Sequence, residues 1–169
     1  MSEGVNLEIE RKYLIEYPDV DWLKAQPGCV TWRIMQTYLR PGEGGQTRRL
    51  REVTVNGEVH YYRTFKRMID AMSNEEDEAE ISRREYEALL RERDLSRRVI
   101  AKTRYRIPWR DHVLEFDIYP FWQDRAILEI ELTDEEDDPG LPDYARVIRD
   151  VTGKLAYKNS MLAREIPAE

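Results

Sequence analysis

At 169 residues the chain suits a single domain, 1–169, with room for a sizeable core. A net charge of −7 disfavours nucleic acid and anionic membranes as partners, since both reward a basic surface, and one cysteine, Cys29, excludes an internal disulfide and a thiolate metal cluster. The acidic opening MSEGVNLEIE carries no apolar run, and no stretch approaches transmembrane length, so a cytoplasmic soluble protein is expected.

Charged residues make up 36% of the chain, against roughly 25% in ordinary domains. Taken in order, the elements show where that excess goes. The first strand, 7–15, reads LEIERKYLI: Leu7, Ile9, Tyr13 and Ile15 share a face with Arg11, while Glu8, Glu10 and Lys12 share the other. A short helix is expected around 19–25, then strands near 32–40, 47–55 and 59–67. Arg49 and Arg51 stand together on the second of these, and Thr64 beside Lys66 on the third. The strand at 32–40 does not alternate cleanly.

The strand at 76–82 sets Glu76, Glu78 and Glu80 on one face. Ser82 and Glu85 form a capping box that opens a helix bearing Tyr86, Leu89 and Leu90. Strands follow near 98–107, 112–119 and 126–133. They place Lys102, Arg104 and Arg106 on one face of the first, Glu115 and Asp117 on the second, and Glu129 and Glu131 on the third. After Pro142, the spacing of Tyr144, Val147, Ile148 and Val151 predicts another helix, stopped near Gly153. Each half of the chain thus reads strand, helix and three strands. The expected class is α+β: an eight-stranded antiparallel barrel with a few peripheral helices, β-α-β-β-β repeated twice.

A sheet with one face in water also alternates apolar and polar residues. A solvated face, however, mixes its signs and favours opposite charges across strands. Here the charge is sorted by strand, with carboxylates on some and cations on others. A closed barrel would turn that face into a wet lumen, where carboxylates hold divalent cations and Lys and Arg hold an anion. Carboxylate oxygen without His or Cys ligands favours Mg²⁺ or Mn²⁺ over zinc, and an anion needing several cations plus metal suggests a polyphosphate. His60 and His112 read as ordinary polar strand residues, the Trp residues as packing, and 134–138 as a solvated turn. No Ser-His-Asp pattern or Gly-rich phosphate loop is present.

These residues also form an ordered series of motifs: ExExK at 8–12, QxYL at 36–39, RLR at 49–51, TxK at 64–66, KTRY at 102–105, ExD at 115–117 and LEIEL at 128–132. The series, ending in VTGKLAYKNSMLA, resembles the triphosphate tunnel metalloenzymes of the CYTH superfamily. The resemblance implies an eight-stranded barrel with a charged tunnel, and the activity of the compact bacterial inorganic tripolyphosphatases. By the same resemblance Glu8, Glu10, Asp117, Glu129 and Glu131 would hold Mg²⁺ or Mn²⁺, with Glu76, Glu78 and Glu115 nearby. Lys12, Arg49, Arg51, Lys66, Lys102 and Arg104 would grip phosphates, and Tyr38 and Lys66 would activate water. If Lys66 is the base, its pKa must fall beside other cations. Two departures stand out. Asn74 occupies a position where the family often has Arg, and Ala156 precedes Tyr157 where a basic residue is usual, leaving Lys154 or Lys158 as candidates to replace it. The expected partner is a small-molecule triphosphate, and the sequence leaves a homodimer open. ATP cyclisation, organic triphosphate hydrolysis and non-catalytic polyphosphate binding remain alternatives.

Overall fold

A computed structural model describes residues 6–167. Along the chain these form β1 (Asn6–Glu16), α1 (Val20–Lys24), β2 (Val30–Tyr38), β3 (Thr47–Val55), β4 (Glu58–Met68), β5 (Ser73–Ile81), α2 (Arg83–Leu89), β6 (Ile100–Trp109), β7 (His112–Ile118), β8 (Arg125–Glu131), β9 (Val147–Asp150) and α3 (Asn159–Leu162). Eight antiparallel strands run in the order β5-β4-β3-β2-β6-β7-β8-β1, and β1 pairs back to β5, closing the barrel. Both predicted β-α-β-β-β halves are present. None of the described helices is long and apolar enough to cross a membrane.

Local chemistry explains the short connections. Asn56 and Gly57 both adopt positive φ, 52° and 78°, as a two-residue turn between twisted strands requires. Asp19 caps α1 by accepting a hydrogen bond from the Trp22 N–H. Ser82 and Glu85 cap α2 reciprocally, as the sequence predicted.

The helix expected after Pro142 is absent. Its residues make a turn and then β9, an exposed strand paired antiparallel to β1. The cause lies in the barrel seam. β1 uses one edge twice: Asn6–Ile9 pair with β5, while Tyr13–Ile15 pair with β9. Beyond Ile9, β5 no longer covers that edge, and its open backbone groups are met by β9 instead. Helical spacing in the sequence could not compete with a ready-made row of partners, and Val147 and Ile148 are β-branched.

Among the described residues three apolar clusters fix the barrel, the smallest seating Tyr86 of α2 against Leu39 and Leu50. α1 and the loop after β8 cover β6, β7 and β8 through Leu23, Tyr105, Phe116, Leu128 and Ala145. A second cluster stoppers one end: Leu162 and Tyr157 of the C-terminal segment pack with Tyr119, Trp122, Ile127 and Leu14. Arg11, the one charge on the apolar face of β1, escapes burial by pairing with Asp138 at 3.4 Å.

Candidate active site

The charged faces converge. Glu8, Glu10, Lys12, Arg49, Arg51, Lys66, Glu76, Glu78, Arg104, Glu115, Glu129 and Glu131 all line one cavity of about 570 Å³ inside the barrel, together with Tyr38. Strand alternation sends each of these side chains inward, and barrel closure brings strands far apart in sequence to a common interior. Lys102 and Asp117 lie deeper, fully buried beneath it.

Most of the charge is already committed to internal pairs. Asp117 accepts from Lys102 Nζ at 2.8 Å and from Arg104 Nε and Nη2 at 2.7 and 2.9 Å, so both its oxygens are taken. Lys12 pairs with Glu129 at 3.0 Å and donates to the Tyr157 carbonyl at 3.3 Å. Lys66 pairs with Glu8 at 2.9 Å and Glu76 at 3.3 Å. Arg51 and the Thr64 hydroxyl both donate to Glu78, at 2.9 and 2.8 Å. Glu115 holds Arg106 at 2.9 Å and Arg104 at 3.4 Å.

Of the twelve charged residues named first, three stand outside this network. Glu10 and Glu131, opposite each other on β1 and β8, have no ion-pair partner among the described residues. Arg49 has none either, and its Nε is buried without a hydrogen bond. The electrostatics follow. Burial, then Glu129 and Glu8, push the Glu10 carboxyl up to about 7. Burial, then Glu8 and Glu115, also raise Glu131. By contrast, burial of Glu129 is outweighed by Lys12 and Arg104, which hold it far below the carboxylate range. Burial lowers Lys102 to about 8, with Asp117 opposing and Arg104 reinforcing the shift.

Lys66 differs from the expectation for a base. Burial and Arg49 act downward, but Glu8, Glu10 and Glu76 together leave its pKa raised, so it is an ammonium at neutral pH.

Among the described residues, no three carboxylates stand close enough to enclose a metal ion alone. The donor set still suits a hard cation. Magnesium commonly takes one or two carboxylates and completes its shell with water and phosphate oxygens, and burial together with neighbouring carboxylates raises the pKa values of Glu10 and Glu131. A metal role for Asp117 would require Lys102 or Arg104 to release an oxygen.

The C-terminal segment positions Ala156, Lys154 and Lys158 differently. Ala156 is exposed and outside the cavity lining, and Lys154 reaches only a small side cavity of about 10 Å³. Lys158 lines the main cavity, and burial together with Lys12 lowers its pKa. The motif series contained Lys158, but only its distance from Tyr157, not its direction, was legible. Asn74 also lines the cavity, its Nδ2 lying 3.5 Å from Glu8. Trp32, expected as packing, and Arg97, given no role from the sequence, line it as well. Trp32 is stacked by Arg106, whose guanidinium lies 4.6 Å from the ring centroid. Of the two histidines, His60 pairs with Glu80 and His112 with Asp137, both away from the cavity.

No model of a known protein family matches the chain, and no curated protein matches it. Solved structures do. The inorganic triphosphatase NE1496 is 25% identical over 95% of this chain and 96% of its own, with a TM-score of 0.56. PH1819 from Pyrococcus horikoshii OT3 gives a TM-score of 0.60 at 19% identity, covering 76% of this chain and 80% of its own. HpAC1 from Hippeastrum, described as a putative adenylyl cyclase with a dominant triphosphatase activity, gives 0.51 at 19% identity, covering 76% and 81%. Closed into an eight-stranded barrel with charge facing inward, and similar to NE1496 over nearly the whole of that protein, this chain has the CYTH-type triphosphate tunnel fold.

Proposed function

We propose that the protein hydrolyses inorganic tripolyphosphate to pyrophosphate and phosphate within the barrel, using Mg²⁺ or Mn²⁺. The observation that carries this reading is the coexistence, in one cavity, of an unpaired carboxylate pair and an unpaired buried guanidinium. Glu10 and Glu131 call for a cation, and Arg49 calls for an anion. A substrate bearing both a chelated metal and bare phosphate oxygens meets both demands. The similarity to the inorganic triphosphatase NE1496 supports the same substrate.

In this reading Glu10 and Glu131, with Glu8 and Glu129 beside them, hold the metal, which when bound neutralises phosphate oxygens and orients the chain. Arg49, Arg51, Lys12 and Lys158 grip the phosphates. Arg104 and Lys102 fix Asp117 and keep the cavity floor positive. A water oxygen attacks a terminal phosphorus while the bridging P–O bond breaks, and pyrophosphate leaves with the bonding pair. Lys66 takes the water's proton and Tyr38 orients the water, while the guanidinium groups stabilise charge growing on the leaving group. For Lys66 to act so, its ammonium must first lose a proton to solvent, which requires that Glu8 and Glu76 stop stabilising the charged form.

The test is to incubate pure protein with tripolyphosphate, ATP or thiamine triphosphate, each with Mg²⁺, Mn²⁺ or EDTA, and identify the products. Pyrophosphate and phosphate from tripolyphosphate, in the metal arms only, are expected. Full activity in EDTA would remove the metal from the scheme. Binding without turnover of any triphosphate would make the protein a polyphosphate-binding module instead.

A further inference from the structure

The connection between α2 and β6 contributes a side chain to the cavity that no strand supplies. Arg97 lines the cavity, as do the exposed Gly44, Gly45 and Met161. Its guanidinium is held on two sides. Its Nε lies 3.4 Å from Asp94 Oδ2, and the group covers the Tyr38 ring at 5.5 Å from the centroid.

Asp94 is itself fixed. It accepts from the Ser96 N–H at 2.9 Å and the Ser96 hydroxyl at 2.6 Å, and its own N–H donates to the Tyr38 carbonyl at 2.8 Å. The turn is therefore bolted to the end of β2, and the adjoining Arg98 N–H donates to Ala163 of the C-terminal segment at 2.7 Å.

Two features make this more than a packing arrangement. Asp94 serves Arg97 and, at 3.7 Å, Arg164 as well, so the cluster keeps one uncompensated positive charge. The Arg97 side chain is only 12% exposed, and Nε is buried without a well-aligned hydrogen bond, which leaves most of its donors unused. A preorganised, under-used guanidinium in the lining of an anion cavity loses little entropy on binding phosphate.

We propose that Arg97 is a substrate-binding residue, contacting the polyphosphate from the cavity lining, with Asp94 and Tyr38 as its positioning partners. The inference rests on the triphosphate reading above.

The experiment measures tripolyphosphate binding by calorimetry with Mg²⁺ present, and KM and kcat by phosphate release, for the unmodified chain, Arg97→Ala and Arg97→Lys. Thermal melts would confirm that each variant folds. Arg97→Ala is expected to raise Kd and KM about fivefold to tenfold with kcat within about twofold, and Arg97→Lys to recover part of the loss. The gap between the unmodified chain and Arg97→Ala should narrow at high salt, because the contact lies near solvent. Unchanged KM with a lowered kcat would overturn the proposal and make Arg97 a structural support for Tyr38. An unmodified chain that binds no polyphosphate would fail the triphosphate reading itself, whereas equal binding by the unmodified chain and Arg97→Ala would fail this inference alone.

Discussion

Glu10 and Glu131 face each other across the β1–β8 pair, and neither has a cationic partner among the described residues, although cations crowd the rest of the cavity. Like charges opposed on neighbouring strands cost stability unless something neutralises them. The cavity therefore stores an electrostatic demand at this pair, which a proton or a divalent cation can meet.

The demand has a sign that can be checked in the metal-free protein. Glu10 titrates near 7 when folded, against 4.5 for the ordinary carboxyl. The folded state thus binds this proton more tightly than the unfolded state does. The resulting stability is present in full below about 4.5 and is lost as pH rises through about 7, a difference on the order of 3 kcal/mol. Glu10→Gln keeps the shape and removes the titration. In EDTA the variant should be more stable than the unmodified chain at pH 8, with the advantage shrinking toward pH 5, by urea unfolding at each pH. Added Mg²⁺ should raise the melting temperature of the unmodified chain more than that of the variant. A stability difference that does not change with pH would remove Glu10 as the source of the demand.

Lys66 is the next test, because its pairs with Glu8 and Glu76 keep it charged. When Glu8, Glu76 and Glu10 no longer present bare charge to it, burial and Arg49 remain, and both act to lower its pKa. kcat should then rise toward alkaline pH. Lys66→Ala should lower kcat by about a hundredfold, within the usual range for general-base groups, and Lys66→Arg should do nearly as badly because arginine does not release its proton. Tyr38→Phe should also lower kcat more than it alters KM. A Lys66→Arg protein working at close to the unmodified rate would reduce Lys66 to a phosphate-holding cation.

Asp117 carries a different expectation. With Lys102 and Arg104 it forms a fully buried ion cluster, and both its oxygens are bound. Asp117→Ala leaves buried Lys102 without its counterion and Arg104 with only its longer pairs to Glu115 and Glu129, both at 3.4 Å, and breaking such a buried pair typically costs about 3–5 kcal/mol. For a chain of this length the melting temperature should fall by about 10 °C, measured in EDTA so that metal binding makes no contribution. A melting temperature within a degree or two of the unmodified chain would show that the cluster relaxes or deprotonates without loss, Lys102 being the group already lowered to about 8.

The barrel was legible because its signal is local: strict alternation on β1, β6, β7 and β8 decides which side chains face inward, whatever they meet there. The same alternation could not say which charges pair. Asp117 and Glu129 look alike with Glu10 and Glu131 in the sequence, yet the first two are saturated by Lys102, Arg104 and Lys12 and the last two are bare. That difference depends on strands brought together by closure. The misread helix at 144–151 fails for a related reason, since β9 exists to pair with β1, more than 130 residues earlier in the chain. Arg97 lies in an irregular connection with no periodicity to mark its direction.

Lys158 supplies the last prediction. The chain turns sharply after β9 at Gly153, whose φ is +73°, and passes so close to Ala71 that a Cβ there would stand 2.7 Å from the alanine methyl. Tyr157 and Leu162 then anchor the segment in the end cluster, which leaves Lys158 directed at the main cavity and Ala156 exposed. Lys158→Ala should raise KM for tripolyphosphate about fivefold with kcat nearly unchanged, as expected when a binding contact common to ground and transition states is lost. Because burial and Lys12 lower the Lys158 pKa, its contribution should fade at a lower alkaline pH than an ordinary lysine would. Lys154→Ala and Ala156→Arg should leave KM within about twofold, since neither position lines the main cavity. A rise in KM for Lys154→Ala, with none for Lys158→Ala, would assign the missing cation to Lys154 and place the C-terminal segment differently when substrate is bound.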